Sequence, residues 1–286
     1  MMALSAARGN KTPIIFVPSM HQDLFDDPVT SDLLEKISLE GNYYFVDSEK
    51  EGRRKQPSPV VIVSKLSNLI NSFQENRRKV AITLGATRAP IDSVRAIQNA
   101  SSGKTGWAIA EYLFMMGHEV HCIAGKTSSN PSIELPNIIR AGSPEEMLSE
   151  SLSLVKIDVK PDVWIHSAAV LDYSMVAEKG KRPSGQDKWE IELRPTLKHI
   201  SELSDLVGDC IRIGFKLETG VSEEELIQKS LNQISKYGVD YVIANILEQI
   251  ADKNSPRARL VSKDGSVKVL QNEVDICLEI EKIISE

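Results

Sequence analysis

From Lys79 onward the chain alternates short apolar runs with longer stretches whose apolar residues recur three and four positions apart. Lys79–Leu84, Glu119–Ala124, Asp162–His166, Ile211–Phe215 and Asp240–Ala244 have the length and composition of buried strands. Between them the spacing is helical. Leu148, Leu152 and Val155 share one face of a helix predicted to begin at Ser143–Pro144, and Ile227, Leu231 and Ile234 share one face of another beginning at Ser222. Ser143 with Glu146, and Ser222 with Glu225, have the spacing of capping boxes. A further helix is predicted over about Lys104–Met116, stopped by Gly117, and a last one near Asn272. Arg259–Val269 reads as a hairpin around Asp264-Gly265.

Strands separated by helices imply a parallel sheet covered on both faces. The predicted fold is α/β: a Rossmann-like three-layer sandwich with a mainly parallel sheet, plus a small N-terminal α/β piece. The expected domains are residues 1–78 and 79–286, divided at the polar stretch Ser72–Lys79. In such sheets ligands sit beyond the carboxyl ends of the strands. Function is therefore expected in the loops after Leu84, Ala124, His166, Phe215 and Ala244.

Composition narrows the class. At 286 residues the chain is long for one domain and short for two full ones. Apolar residues at 41 % and charged residues at 26 % are ordinary globular values. A net charge of −6 speaks against non-specific nucleic-acid binding, though a local cationic pocket is compatible with it. No apolar run has the length of a membrane span, and no signal peptide is expected. Cys122, Cys210 and Cys277 are far apart and lie mostly in apolar stretches, as reduced core cysteines of a cytoplasmic protein do.

The segment richest in candidate chemistry runs from Leu84 to Leu113, from a strand into a helix. It carries Gly85, Gly103 and Gly106, two arginines and a Ser101-Ser102-Gly103-Lys104 turn at the helix start. Small residues there let backbone N–H groups approach an anion. The spacing is neither a Walker A nor GxGxxG, which removes the main support for a nicotinamide dehydrogenase. As a pattern alone it is either a nucleotide- or phosphate-binding loop or a βα turn with no ligand.

The run Thr83–Gly106 resembles the signature of the phosphopantothenate–cysteine ligase family, in which a TAGxTREPID-like start leads into VRxISNxSSGxxG. The match is carried by Thr83, Gly85, Thr87, Arg88, Pro90, Ile91, Asp92, Val94, Arg95, Ile97, Asn99, Ser101, Ser102, Gly103 and Gly106. Five downstream segments resemble the family in order: His166–Tyr173 its AAVADY, Glu178–Gly185 its lysine run, Leu193–Ile200 its L-x-PTPK-x-I, and Ile213–Gly220 and Asp240–Leu247 its later strands. The resemblance implies a ligase that joins phosphopantothenate to L-cysteine through an acyl-nucleotide, with Mg²⁺ and CTP, or alternatively ATP. It implies Asn99 and Lys179 as catalytic residues. Nucleotide contacts would come from Gly85, His166, Ser167, Ala168, Asp172, Lys179, Pro195, Thr196, Leu197, Lys198, Phe215 and Lys216. Substrate contacts would come from Arg95, Asn99, Ser101, Ser102 and Gly103. The family's bacterial pattern places two lysines four apart where this chain has Gln233 and Tyr237, and an isoleucine at Gly180. The register among Lys179, Lys181 and Arg182 stays open. A homodimer is expected by resemblance.

Upstream, Pro13–Pro28 resembles the PAMN-containing segment of flavin-dependent phosphopantothenoylcysteine decarboxylases, with His21 at the asparagine position. The earlier half of that domain and its cysteine loop have no counterpart, so no FMN is expected on this chain alone. Residues 1–78 read as a decarboxylase-like remnant that a separate flavoprotein subunit completes, as a docking element, or as inert. The functional alternative is a catalytically silent nucleotide-binding subunit.

Overall fold

A computed structural model of the chain describes residues 14–46, 49–50, 53–157, 160–185, 188–252 and 254–286. The chain forms two compact units, one up to Leu66 and one from Ser67, and the division falls in the sequence of the helix Pro59–Asn71.

The larger unit is built on one eight-stranded sheet. Its strands are β1 (Lys79–Leu84), β2 (Glu119–Gly125), β3 (Asn137–Ala141), β4 (Val163–His166), β5 (Ile211–Glu218), β6 (Tyr241–Ile246), β7 (Ala258–Ser262) and β8 (Val267–Leu270). The spatial order is β3-β2-β1-β4-β5-β6-β7-β8. The first six are parallel, and β7 and β8 are antiparallel additions. The helices are α1 (Lys104–Met115), α2 (Pro144–Val155), α3 (Glu223–Tyr237) and α4 (Glu273–Ser285).

Alternation along each strand divides the core. Val80, Ile82, Leu84, Ile165 and Ile213 pack with Trp107, Ile109 and Leu113 of α1 and Ile276 and Ile280 of α4. Ala81, Ile123 and Trp164 face Met147 and Leu154 of α2, while Val242 and Ala244 face Leu226 and Ile234 of α3. These are the three expected layers. Each fully buried aliphatic side chain contributes about 1.5–3 kcal/mol.

Local signals explain most boundaries. Ser222 and Glu225 close a full capping box on α3, and Asn272 and Asp275 close one on α4. Gly117, at φ 91°, ends α1. At α2 the Ser143 hydroxyl accepts from Glu146 N–H, but the Glu146 carboxylate takes Gly142 N–H and Lys126 rather than closing the box on Ser143. Two features lie in stretches read as loop: β3, and the antiparallel pair Arg88–Pro90 with Ala96–Gln98. β5 also runs on past Phe215 to Glu218. Cys122, Cys210 and Cys277 are free, and burial pushes the Cys122 and Cys277 thiols up to about 12.

A polar network closes the amino end of the sheet. His118, just before β2, accepts Arg78 N–H at Nδ1 (2.9 Å), so its Nε2 carries the hydrogen that meets Glu281 of α4 at 2.5 Å. The other Glu281 oxygen holds Arg77 at 3.0 Å. Arg77 also donates to Met116 O, and Arg78 Nε to Ile284 O.

In the smaller unit Ile15–Phe16 pairs in parallel with Tyr43–Tyr44. Met20–His21 pairs antiparallel with Arg53–Arg54, which also pairs with Glu49–Lys50. The helix Pro28–Leu39 is capped by Asp27, with Pro28 at its first position. Among the described residues from 14 to 66, Pro57 and Ser64 are the buried ones, while Leu24, Val29, Leu33 and Leu39 are exposed. Pro13, which belongs to the segment compared with decarboxylases, lies outside the described residues, as do residues 47–48 and 51–52.

Candidate functional site

The strand order runs outward in both directions from the neighbours β1 and β4. At such a switch point the loops leaving two adjacent strands diverge to opposite faces and open a crevice. The β1 loop is shaped by two left-handed glycines, Gly85 (φ 76°) and Gly103 (φ 77°). A Cβ on Gly103 would lie 3.1 Å from Gly85 Cα and from Ser128 Cβ, and one on Gly85 would lie 2.7 Å from Ser128 Cβ. The loop after β2 thus packs directly under the turn. Arg140 fixes that loop by donating to Ser128 Oγ (2.6 Å) and stacking over Trp107. Trp107 donates to Ser129 O, and Ser129 donates from both N–H and hydroxyl to Ser102 O.

A cavity of about 460 Å³ opens at the carboxyl ends of β1, β4, β5 and β6. Thr83 and Ser101 line it beside β1, and His166, Ser167, Ala168 and Asp172 line it beside β4. Leu197, Lys198 and His199 contribute from the next loop, Phe215 and Lys216 from β5, and Gln233 and Tyr237 from α3. Asn245, Ile250, Thr105 and Arg257 also line it.

Its electrostatics are mixed. Lys198 is ion-paired with Asp172, and Lys216 with Glu218 at 2.9 Å; Glu218 also holds Lys229 of α3. Those two lysines hold the Glu218 carboxyl below its ordinary value. His166 is buried and stacked on Trp164, and its Nε2 has no partner. Burial first, then the Arg212 charge and His199, lower its pKa to about 3. Burial lowers His199 to about 4, against the Pro144 carbonyl and Glu145. Both rings are therefore neutral at ordinary pH. Arg212 reaches under this floor, donating to Tyr237 O (2.6 Å) and Ile200 O (2.5 Å).

Residues 75–278 match the family described as the DNA/pantothenate metabolism flavoprotein C-terminal domain. The chain belongs to this family. It is similar to the coenzyme A biosynthesis bifunctional protein CoaBC of Thermococcus kodakarensis, at 35 % identity over 258 residues covering 90 % of this chain and 63 % of that protein. It is also similar to the protein of the same name from Methanocaldococcus jannaschii, at 31 % identity over 244 residues covering 84 % and 58 %. The chain thus spans about six tenths of the length of these relatives. The crystal structure of the DNA/pantothenate metabolism flavoprotein from Streptococcus pneumoniae superposes with a TM-score of 0.64 at 30 % identity, covering 72 % of this chain and 98 % of that one. The resemblance read in Thr83–Gly106 and downstream is borne out at the level of the family, and so is the mainly parallel α/β fold.

Within this family fold the expected site residues divide. Ser101, His166, Ser167, Ala168, Asp172, Leu197, Lys198, Phe215 and Lys216 are gathered in the cavity wall. Asn99 stands just behind it: its side-chain amide donates to Ala169 O at 3.1 Å, and its backbone carbonyl accepts from Ser101 N–H. Gly85, Ser102 and Gly103 shape the turn rather than line the cavity. Pro195 and Thr196 lie in and after the short pair Tyr173–Ser174 with Arg194–Pro195, with Thr196 bonded to Leu171 O and Asp172 O.

Arg95 and Lys179 lie elsewhere. Arg95 pairs with buried Asp92 at 3.2 Å and stacks over Trp189, whose ring also carries Arg182. Lys179 is exposed beside Gly180, whose carbonyl accepts Ser93 N–H. His21 lies exposed in the smaller unit. Gln233 and Tyr237, at the positions where the family's bacterial pattern has lysines, do face the cavity, with neutral side chains. Thr83, Thr105, His199 and Asn245 are cavity residues that lie inside the motif segments with no role assigned to them, and Arg257 lies outside every motif. The rule that ligands bind at strand carboxyl ends points to Asn245, the fifth residue of β6, and to Arg257, which precedes the antiparallel β7 at that same end.

Proposed function

We propose that the chain is a phosphopantothenate–cysteine ligase acting in coenzyme A biosynthesis. The observation that carries this reading is the convergence of Ser101, His166–Ala168, Asp172, Lys198, Phe215 and Lys216, from four separate sequence segments, on one cavity at the switch point. The name shared by the two archaeal relatives supports the same pathway.

In the proposed first step a carboxylate oxygen of phosphopantothenate attacks the α-phosphorus of a nucleoside triphosphate, and the bond to pyrophosphate breaks. In the second step the cysteine amine attacks the acyl carbon. The new C–N bond replaces the acyl–phosphate bond, a proton is lost, and the nucleoside monophosphate leaves. CTP is taken as cosubstrate, with ATP tested beside it.

Lys198 and Lys216 carry carboxylates that a triphosphate would replace as their partners. Phe215 offers a face for the base, and neutral His166 offers a ring nitrogen. Asn99 presents a neutral amide next to the Ser101 turn, suited to steady an acyl carbonyl or its oxyanion. The roles of Lys179 and Arg95 rest on resemblance alone.

Among the described residues no cluster of three or more His, Cys, Asp or Glu side chains is spaced to hold a metal by itself. Mg²⁺ is commonly held by one or two carboxylates together with substrate phosphates. Asp172 fits that part. The ion would neutralise charge on the phosphates. A cytoplasmic homodimer belongs to the same reading. So does a separate flavoprotein subunit, a role supported by the exposed apolar side chains of the smaller unit; among the described residues no helix is long and apolar enough to cross a membrane.

The test is pyrophosphate release with phosphopantothenate, L-cysteine and Mg²⁺, run separately with CTP and ATP. Release that requires phosphopantothenate is expected. Nucleotide binding without any release would replace the ligase with the silent binding subunit. Asn99→Asp is expected to cut amide formation by about 10²–10³-fold while leaving nucleotide affinity within a few fold.

A further inference from the structure

Among the described residues the cavity contains a strong cation that hydrogen-bonds only to neutral groups. Arg257 lines it, and its guanidinium donates to two neutral oxygens: Thr105 Oγ1 at 3.0 Å and Asn245 Oδ1 at 3.3 Å. Among the described residues no carboxylate lies within ion-pair distance of it. The other cavity cations differ, since Lys198 and Lys216 each hold a carboxylate. A half-buried guanidinium held only by neutral groups pays desolvation without a counter-charge, which a ligand anion would supply. Burial holds its pKa below the ordinary value, and the more distant Glu273 offsets part of that.

The surroundings of Arg257 favour an anion. Thr105 is in the first turn of α1, whose first N–H groups have no intrahelical partner. Gly103 supplies no side-chain cap there, whereas α2, α3 and α4 are all capped by side chains. A second sign of a ligand in this cavity is His166, 8 % exposed, which lines it on the α2 side of the sheet with an unpartnered Nε2. Arg257 and Ile250 also line an adjoining cavity of about 280 Å³, but Asp252 and Glu273 stand in its wall, so an anion is expected on the side of the larger cavity.

We propose that Arg257, with Thr105 and the first turn of α1, forms a second anion-binding pole that holds a phosphate group. It is distinct from the lysine pole, where Glu218 links Lys216 to Lys229 of α3. Thr105 and Asn245 set the guanidinium plane so that its remaining N–H groups meet phosphate oxygens, a geometry that arginine provides and lysine does not. This deepens the ligase reading and rests on it for the two sources of the phosphate: the nucleotide, or the phosphorylated acid.

The experiment compares the full chain with Arg257→Met and Arg257→Lys. KM and kcat are measured for each substrate in turn, and calorimetry follows binding of inorganic pyrophosphate and of phosphopantothenate. For Arg257→Met, KM for one substrate is expected to rise roughly 10- to 100-fold with kcat little changed, the loss of a charge-assisted hydrogen bond. Arg257→Lys should recover part of it. A rise confined to the nucleotide assigns the pole to its phosphates, and one confined to phosphopantothenate assigns it to the acid. If both variants melt like the parent and bind both ligands unchanged, the pole is refuted. If the parent releases no pyrophosphate but binds it in an Arg257-dependent way, the ligase reading fails and the pole stands.

Discussion

The two ends of the same sheet handle buried polar groups in opposite ways. At the amino end His118, Glu281, Arg77 and Arg78 satisfy one another: both Glu281 oxygens, both His118 nitrogens and the flanking carbonyls all have partners. At the carboxyl end, among the described residues, His166 Nε2 and His199 Nδ1 have none, and no carboxylate lies within ion-pair distance of Arg257. A fully paired buried network stabilises the fold, while an incomplete one facing a cavity costs stability and marks where a ligand binds. The difference separates structural from functional polarity on one scaffold without reference to any motif.

The largest effect should come from breaking the complete end. Glu281→Ala leaves half-buried Arg77 and buried His118 without their acid. Removing one partner of such a pair costs about 3 kcal/mol or more. For a unit of this size that lowers the thermal midpoint by about 6–12 °C. Nucleotide affinity of the folded fraction should be unchanged. A variant that melts normally but loses nucleotide binding would erase the division between the two ends.

The comparison also shows what the sequence discloses. The amphipathic periods of α2 and α3, the Ser222 and Asn272 caps and Gly117 are local signals, and the structure keeps them. β3 escaped because Asn137–Ala141 is a short edge strand with one buried residue, Ala141. β5 was cut short because Lys216 and Glu218 extend it with charges that pair along the strand. At the site, the contiguous motifs were legible, and nine of their residues meet in the cavity wall. Arg257 and Thr105 were not, since they stand 152 positions apart and meet only when α1 and the residue before β7 share one layer. Arg95 is the reverse case. Its motif is plain, yet Asp92 and Trp189 engage it away from the cavity.

A smaller effect, graded with pH, should come from the incomplete end. His166 and His199 have folded pKa values of about 3 and about 4, below the ordinary 6.5. The unfolded chain therefore binds protons that the folded chain refuses. Their contribution is fully present above pH 6.5 and is lost as pH falls, for His199 by about 4 and for His166 by about 3. The slope is about 1.4 kcal/mol per pH unit for each ring. Denaturant midpoints measured from pH 8 to 4.5 should fall below 6.5, and His199→Gln should remove about one proton from the slope. Superimposable pH curves for parent and variant would mean that His199 is not held neutral in the fold.

The smallest effect concerns the cavity's charge rather than its unmet partners. Gln233 packs over Gly214, where an added Cβ would stand 2.6 Å from its Nε2, and that amide makes one long bond, 3.4 Å, to Phe215 O. Gln233→Lys therefore places a cation beside Lys216 without taking away a strong contact. The cations already there on this side are partnered by Asp172 and Glu218, so the new one meets an incoming triphosphate with its charge intact. Exchange with solvent keeps the gain modest, roughly threefold in affinity. It should be largest at low salt and shrink as salt rises. Titration of the variant with CTP and with ATP at two ionic strengths separates the outcomes. Equal gains for both nucleotides place Gln233 against the phosphates, a gain for one alone places it against the base, and no gain at low salt would mean that this wall of the cavity does not face the nucleotide.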